Sequence, residues 1–306
     1  MRKIIAIVGI AALAGCGAPA EKTTISISGA FALYPLTVKW AEEYKKAHPE
    51  VKIDVSAGGA GKGITDVLSG VTDIGLVSRS LSPSELQKGA TAIAVARDAV
   101  VPTVSATNPL LKEIEATGVK RDLFYKVFIT GEASNWGQLG FSGTGPIHVY
   151  TRSDAAGAAE TWAAYLGKKQ DDLKGTGVFG DPGLAQAVQR DPQGIGFNNI
   201  AFVYDPNTKQ PAAGVVPVPI DLNGNGHIDP DEAIYGTLDQ ITAAIASGKY
   251  PSPPARELYF VTKGAPGPLA KAFIQYALTE GQKDVSSSGY ILLTPDKIND
   301  GLNKIK

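Results

Sequence analysis

The chain has 306 residues, 43% hydrophobic and 19% charged, with a formal net charge of −1. That balance is globular, the length suits two domains better than one, and near-neutrality suggests no nucleic-acid role. Three His and one Cys leave little for a zinc or iron–sulfur centre and no partner for a disulfide.

Met1-Arg2-Lys3 is followed by an apolar run from Ile4 to Ala14 and then by Leu13-Ala14-Gly15-Cys16. Two positive charges, a short apolar core and small residues at its end make a secretory signal, too short to span a bilayer as a stable helix. Leu-Ala-Gly-Cys is similar to a bacterial lipobox. That likeness implies cleavage of residues 1–15, a lipid on Cys16, an extracytoplasmic location and attachment to a membrane surface. The other reading is an uncleaved helix followed by a buried structural Cys. Residues 16–23 read as a linker.

Thr24–Ser28 alternates as a strand, and a helix follows to about Ala47 with Leu36, Trp40 and Tyr44 on one face. Val51–Val55 is a second strand, Gly58–Gly63 opens a helix to about Ser69, and Asp73–Val77 is a third strand. Pro83–Lys88 is a short helix with Ser82 as its cap. This alternation of strand and helix predicts a parallel sheet in an α/β domain. Ala92–Ala96 and Ala99–Ser105 read as two further strands, and Pro109–Glu115 and Arg121–Ile129 as helices. Ile147–Thr151 is β-prone, and a helix to about Leu166 follows, capped by Ser153 or Asp154. Later come a helix at Leu184–Gln189, strands at Gly194–Phe197 and Val215–Pro219, and a helix at Leu238–Ala246. A strand at Glu257–Thr262, a helix at Pro268–Leu278 and a closing strand at Tyr290–Leu293 complete the pattern.

Three strand-to-helix junctions, 28–35, 57–64 and 151–161, are rich in Gly or Ala where a helix starts. Such junctions gather at the carboxyl edge of an open sheet, and several helix N-termini aimed at one point cradle an anion with backbone N–H groups. Arg152 beside one of them suits an oxyanion; the alternative is an ordinary turn with Arg152 in a surface salt bridge. None is a nucleotide loop: Gly61-Lys62 is followed by Gly63, and Gly58–Gly63 does not give G-x-G-x-x-G. No G-x-S-x-G elbow occurs and no His stands near a nucleophile, so no enzyme is expected.

Leu33-Tyr34-Pro35-Leu36 before Trp40, Ala57–Ile64, Asp73–Arg79 and Arg152–Gly157 together resemble the phosphate-binding proteins of bacterial phosphate ABC transporters. The resemblance implies an α/β fold of two lobes, each a mixed sheet flanked by helices, with two crossover strands as hinge near Val101–Ser105 and Leu258–Thr262. It implies lobe 1 over residues 24–102 and 258–306 and lobe 2 over 103–257, a ligand that closes the cleft, and a permease that recognises the closed monomer. It places Ala30, Phe31, Ala32, Ala60, Gly61, Ser78, Arg79, Arg152, Asp154, Ala156, Gly157 and Ala158 around the ligand. Arg152, Asp154 and Gly157 match the family pattern. Phe31 stands for a Thr, Ala60 for a Ser, Ala156 and Ala158 for a Ser and a Thr, and Ser78 for an Asp. Asp154 and Glu160 are the candidates to accept a ligand proton. Each lost hydroxyl removes about 1 kcal/mol net, and more toward a charged ligand. The expected ligand is phosphate or a related small oxyanion, held by backbone N–H groups, Ser78, Arg79 and Arg152.

Asp221–Glu232 stands apart. Asp221, Asn223, Asn225, Asp229 and Glu232 supply oxygens at loop positions 1, 3, 5, 9 and 12 of an EF-hand-like calcium loop, Gly226 stands at 6 and the His227 carbonyl at 7. The β-like run before it makes this EF-like rather than a full EF-hand, with a structural Ca²⁺ expected; an Asn/Gly/Asp-rich turn without metal is the other reading. Trp40 and Tyr44 read as helix core, whereas Trp136 and Trp162 either pack or line the cleft.

Overall fold

A computed structural model describes residues 23–306. The signal segment, Cys16 and all of the linker but residue 23 lie outside the described residues. No helix among the described residues is long and apolar enough to cross a membrane.

β1 (Thr24–Gly29), α1 (Tyr34–Ala47), β2 (Lys52–Ala57), α2 (Ala60–Ser69) and β3 (Ile74–Val77) form the alternation that the sequence announces, and β1 pairs in parallel with both β2 and β3. α3 (Pro83–Gln87) is held by a complete capping box between Ser82 and Glu85. The next element corrects the sequence reading: β4 (Ala90–Ser105) is one strand, not two. Arg97-Asp98 looks like a polar break, but the Arg97 backbone pairs with Ile291 and Asp98 is paired with an arginine of the neighbouring strand, so the chain runs straight through.

α4 (Leu111–Thr117) and α5 (Arg121–Tyr125) follow. The expected single helix to Ile129 instead relaxes after Tyr125 into a wider π-type turn, Lys126–Thr130. β5 (His148–Arg152) leads to α6 (Gly157–Tyr165), β6 (Thr176–Val178), α7 (Gly180–Arg190), β7 (Gly194–Asn199) and β8 (Val215–Pro217). Sequence reading missed β6 and started α7 four residues late, at Leu184. α8 (Leu238–Ala246), β9 (Ala255–Lys263) and α9 (Pro268–Leu278) stand as expected within two residues, and an unforeseen α10 (Pro295–Lys304) ends the chain. The closing strand at 290–293 is reduced to one bridge between Arg97 and Ile291.

The strand order is β2-β1-β3-β9-β4-β7-β5-β6, with β8 on β4, and the sheet is mixed because β9 runs antiparallel to both β3 and β4. Two apolar cores flank it. One gathers residues from Ile25 to Ala96 and from Leu258 to Ile305; the other runs from Ala99 to Ala255 and adds Ile291. β4 and β9 are common to both cores and part between them at residues 97–98 and 256–257.

Candidate anion-binding site

Three helix entrances meet where the two cores face each other. β1 feeds α1, β2 feeds α2 and β5 feeds α6. The residues preceding these helices, Leu33, Gly59 and Ala156, provide no side-chain cap. No residue within these helices accepts their first-turn N–H groups, although Tyr34 donates to the Phe31 carbonyl before α1 and Pro35 has no N–H, and the entrances present a partial positive charge. Gly59, at φ +91°, makes the entry turn of α2, and a Cβ there would stand 2.6 Å from Asp154 Oδ2. Gly61 N–H donates to the Ala155 carbonyl at 3.1 Å, and a Cβ on Gly157 would collide with Ser78. α2 and β3 thus touch the β5–α6 junction directly. Ser153 and Asp154 do not cap α6, as the sequence reading had it. The chain stays extended through Ala156, whose N–H is taken by Gln170 Oε1, and the Asp154 carboxylate is spent elsewhere.

Arg152 is only 5% exposed and is not a surface residue. Its Nε and Nη2 donate to Asp154 Oδ1 and Oδ2 at 2.8 and 2.6 Å, and its Nη1 donates to Asp181 Oδ2 at 2.6 Å. Asp154 Oδ1 also accepts the Gly180 N–H. The Phe31 ring lies over the guanidinium, 5.5 Å from its centroid, and meets Phe179 edge-on. Phe31 therefore closes the space that a small hydroxyl residue would leave.

Sequence reading missed Asp181, which the first turn of α7 brings to the arginine. It also missed the chain of contacts behind it. Asn199 Nδ2 donates to Asp181 Oδ1, and Arg256 Nη2 donates to Asn199 Oδ1. Arg256 pairs with Asp98 through Nε at 2.8 Å and Nη2 at 3.2 Å, and its Nη1 donates to Thr161 Oγ1. The signal that could have found them is a charged residue inside an otherwise apolar buried strand, as at Asp98. Burial pushes the Asp181 carboxyl above the ordinary range, against the pull of Arg152 and Arg256.

Arg79 is also engaged. Its Nη1 and Nη2 grip Glu85 at 2.9 and 2.7 Å, and its Nε lies 3.2 Å from Glu160. The hydrogen bond from Arg79 holds Glu85 down at about 2, whereas burial raises Glu160. Three arginines thus meet five carboxylates, a formal balance of −2 before any ligand arrives.

The remaining expected contacts gather here as small, buried groups: Ala30, Ala32, Ala60, Ala156, Ala158 and Ser78 are each at most 2% exposed. They supply backbone and one hydroxyl. Glu160 lines two openings, one of about 390 Å³ with Arg79, Thr161, Arg256 and Tyr259, and one of about 600 Å³ with Asp154, Ala155, Lys168 and Gln170. Trp40, Tyr44, Trp136 and Trp162 are core residues, and none of them lines the two openings beside Glu160.

The loop 221–232 folds as a tight turn in which Gly226 takes φ +85°. Asp221 Oδ1 and Oδ2 accept the Gly224 and Gly226 N–H groups, and Glu232 accepts those of Leu222, Asn223 and Asp229. Asp229 accepts from the Asn223 and Asn225 amides and sits 2.9 Å from His227 Nε2. Its carboxylates face loop donors, and among the described residues no three His, Cys, Asp or Glu side chains converge as a metal set. Ile228 anchors the loop by donating its N–H to the Ala116 carbonyl.

A sequence model described as the PBP superfamily domain matches residues 16–280. The chain is 28% identical over 284 residues to the phosphate-binding protein PstS of Bacillus subtilis, covering 92% of this chain and 84% of that one. It is 28% identical over 305 residues to PstS of Pseudomonas aeruginosa, covering 90% and 84%. A Clostridium perfringens protein, described as a phosphate ABC transporter substrate-binding protein with bound phosphate, shares the fold at a TM-score of 0.74 and 24% identity, covering 89% of this chain and all of that one. An ABC-type phosphate transport receptor from Vibrio cholerae aligns at a TM-score of 0.63 and 23% identity, covering 88% of this chain and all of that one. With 265 residues under one family model and two cores joined by crossover strands, this chain belongs to the PBP superfamily.

Proposed function

We propose that this chain is the extracytoplasmic solute-binding component of an ABC importer for phosphate or a related small oxyanion. The observation that carries this reading is the meeting of three uncapped helix entrances around one buried arginine. Backbone N–H donors do not depend on side chains, so the lost hydroxyls reduce the number of ligand bonds without changing the kind of ligand. The names of the curated relatives support the same ligand class. In this reading the contacts of Gly61 with Ala155 and of Gly157 with Ser78 belong to the closed cleft, and a membrane permease recognises that form. The monomer is tethered by a lipid on Cys16.

A second reading is favoured by Phe31 over Arg152 and by the two carboxylates on that arginine. In it the scaffold serves a surface lipoprotein for sensing or adhesion with a changed ligand. Calorimetry on the full chain, with phosphate and then sulfate, separates the two. Heat with phosphate, none with sulfate, and loss of the phosphate signal in Arg152→Ala are expected of the transporter reading. Silence toward phosphate favours the other.

The loop 221–232 is proposed to take a structural Ca²⁺. The support is its donor set. Asp221 and Glu232 are 5% and 4% exposed, and neither has a cationic side chain on it among the described residues. Asp221, Asn223, Asn225, Asp229, Glu232 and the His227 carbonyl would hold the ion, which would supply the missing positive charge.

A further inference from the structure

Arg152, Asp154 and Asp181 carry a formal charge of −1 together, and Arg256 with Asp98 carries none. Among the described residues no second cationic side chain forms an ion pair with Asp154 or Asp181. Asp181 is 2% exposed, so neither water nor mobile counter-ions screen it. An anion reaching Arg152 would add its own charge to a buried excess of negative charge, which a low-dielectric site resists. Either a carboxylate leaves or a proton enters. The carboxylates cannot leave without unpairing Arg152 or Asn199.

We infer that Asp181 sets the charge of this site: an anion binds Arg152 together with one proton taken from solvent, and Asp181 holds that proton. The inference rests on the anion-site reading given above. The Asp154 carboxylate is already filled by two Arg152 donors and the Gly180 N–H. Asp181 takes one arginine donor and one neutral amide. Protonated, it becomes a donor, and the Arg152 Nη1 group it occupied turns to the ligand. The groups facing it are Arg152 from β5, Asp154 from the junction before α6, Arg256 from β9, Asn199 from β7 and the Tyr290 phenol. Asp98 faces it from β4 through Arg256. Burial already moves the Asp181 carboxyl toward the neutral form, in the direction the coupling requires.

The test is calorimetry of phosphate binding to the full chain at several pH values, each in two buffers of different ionisation enthalpy, for wild type and Asp181→Asn. The titration of phosphate itself is common to both proteins and cancels in the comparison. Wild type is expected to take up one proton more per phosphate than the variant. Its affinity should fall about tenfold more steeply per pH unit as pH rises between the free and the liganded pKa of Asp181. Asp181→Asn should bind phosphate at least tenfold tighter than wild type at pH 8. Equal proton counts with parallel pH profiles overturn the inference while leaving the anion site standing. No phosphate binding by either protein overturns the anion-site reading and the inference with it. If the variant does not fold, the wild-type count decides: an uptake no greater than phosphate ionisation alone supplies overturns the role of Asp181.

Discussion

Arg256 Nε donates to Asp98 Oδ1 at 2.8 Å, and the two residues are register partners on β9 and β4 at the place where the two apolar cores part. A largely buried charge pair between two strands is tolerated because each partner is hydrogen-bonded: Asp98 accepts two bonds, and Arg256 also holds Thr161 and Asn199. Arg256→Met would leave Asp98 buried and uncompensated. The expected loss is about 3–5 kcal/mol, read from urea unfolding. The double change Asp98→Leu with Arg256→Met should recover most of it, since a matched apolar pair has no orphaned charge.

Gly157→Ala tests whether the contact between β3 and α6 belongs to the closed cleft. The added methyl would overlap Ser78, whose carbonyl is backbone and cannot turn aside. The lobes should stay apart. Small-angle scattering should report a larger radius of gyration than wild type, and phosphate affinity should fall more than tenfold. An unchanged radius with unchanged affinity would place closure elsewhere.

Phe31→Thr removes the ring over Arg152 and restores a hydroxyl beside the helix entrances. A hydrogen bond to a charged ligand is worth about 1.5–3 kcal/mol, so phosphate affinity should rise about tenfold or more. The change also ends the edge-on packing with Phe179, which is itself largely exposed, so little stability is lost. A variant that binds no better than wild type would mean that the carboxylates on Arg152, rather than the ring, limit the ligand.

Acid should loosen the Arg79 corner. The Arg79 hydrogen bonds hold Glu85 at about 2 in the folded chain, below its ordinary value of 4.5. A lowered carboxylate favours folding fully above its unfolded pKa and loses that contribution as pH falls through the folded one. Thermal stability should therefore drop between about pH 4.5 and pH 2, and Glu85→Gln should flatten part of that drop while lowering stability at pH 7.

Calcium should stabilise the chain if the loop 221–232 binds it. At a concentration 100 times its dissociation constant, an ion bound to the folded state alone adds about 2.7 kcal/mol. The melting temperature should rise with calcium in wild type and not in Glu232→Gln, which keeps the size of the side chain at loop position 12 and removes its charge. Equal melting curves with and without calcium would leave the loop a simple turn.

Local pattern carried most of the secondary structure. α8 and α9 lie on the residues their apolar spacing marks, and Ser82 caps α3 as its place before Pro83 announces, because period and capping are properties of neighbouring residues. β4 was split at Arg97-Asp98 because a strand interior with two charges looks broken until a partner strand supplies Arg256. The gathering of Phe31, Ser78, Arg79, Arg152 and Gly157 was visible only because their separate blocks resemble one family, and no single block implied it.

By itself the sequence determined the α/β alternation, the three Gly- and Ala-rich helix entrances and the arginine beside the third. These depend on residues a few positions apart. Which carboxylates hold that arginine was decided by tertiary structure. Asp181 lies 29 residues beyond Arg152, and Arg256 lies 158 residues beyond Asp98. Strand register and the docking of α7 bring them together, and neither is written in a local window of sequence. The charge balance of the cleft follows from those long-range pairs, because burial removes the solvent that would otherwise let each charge stand alone.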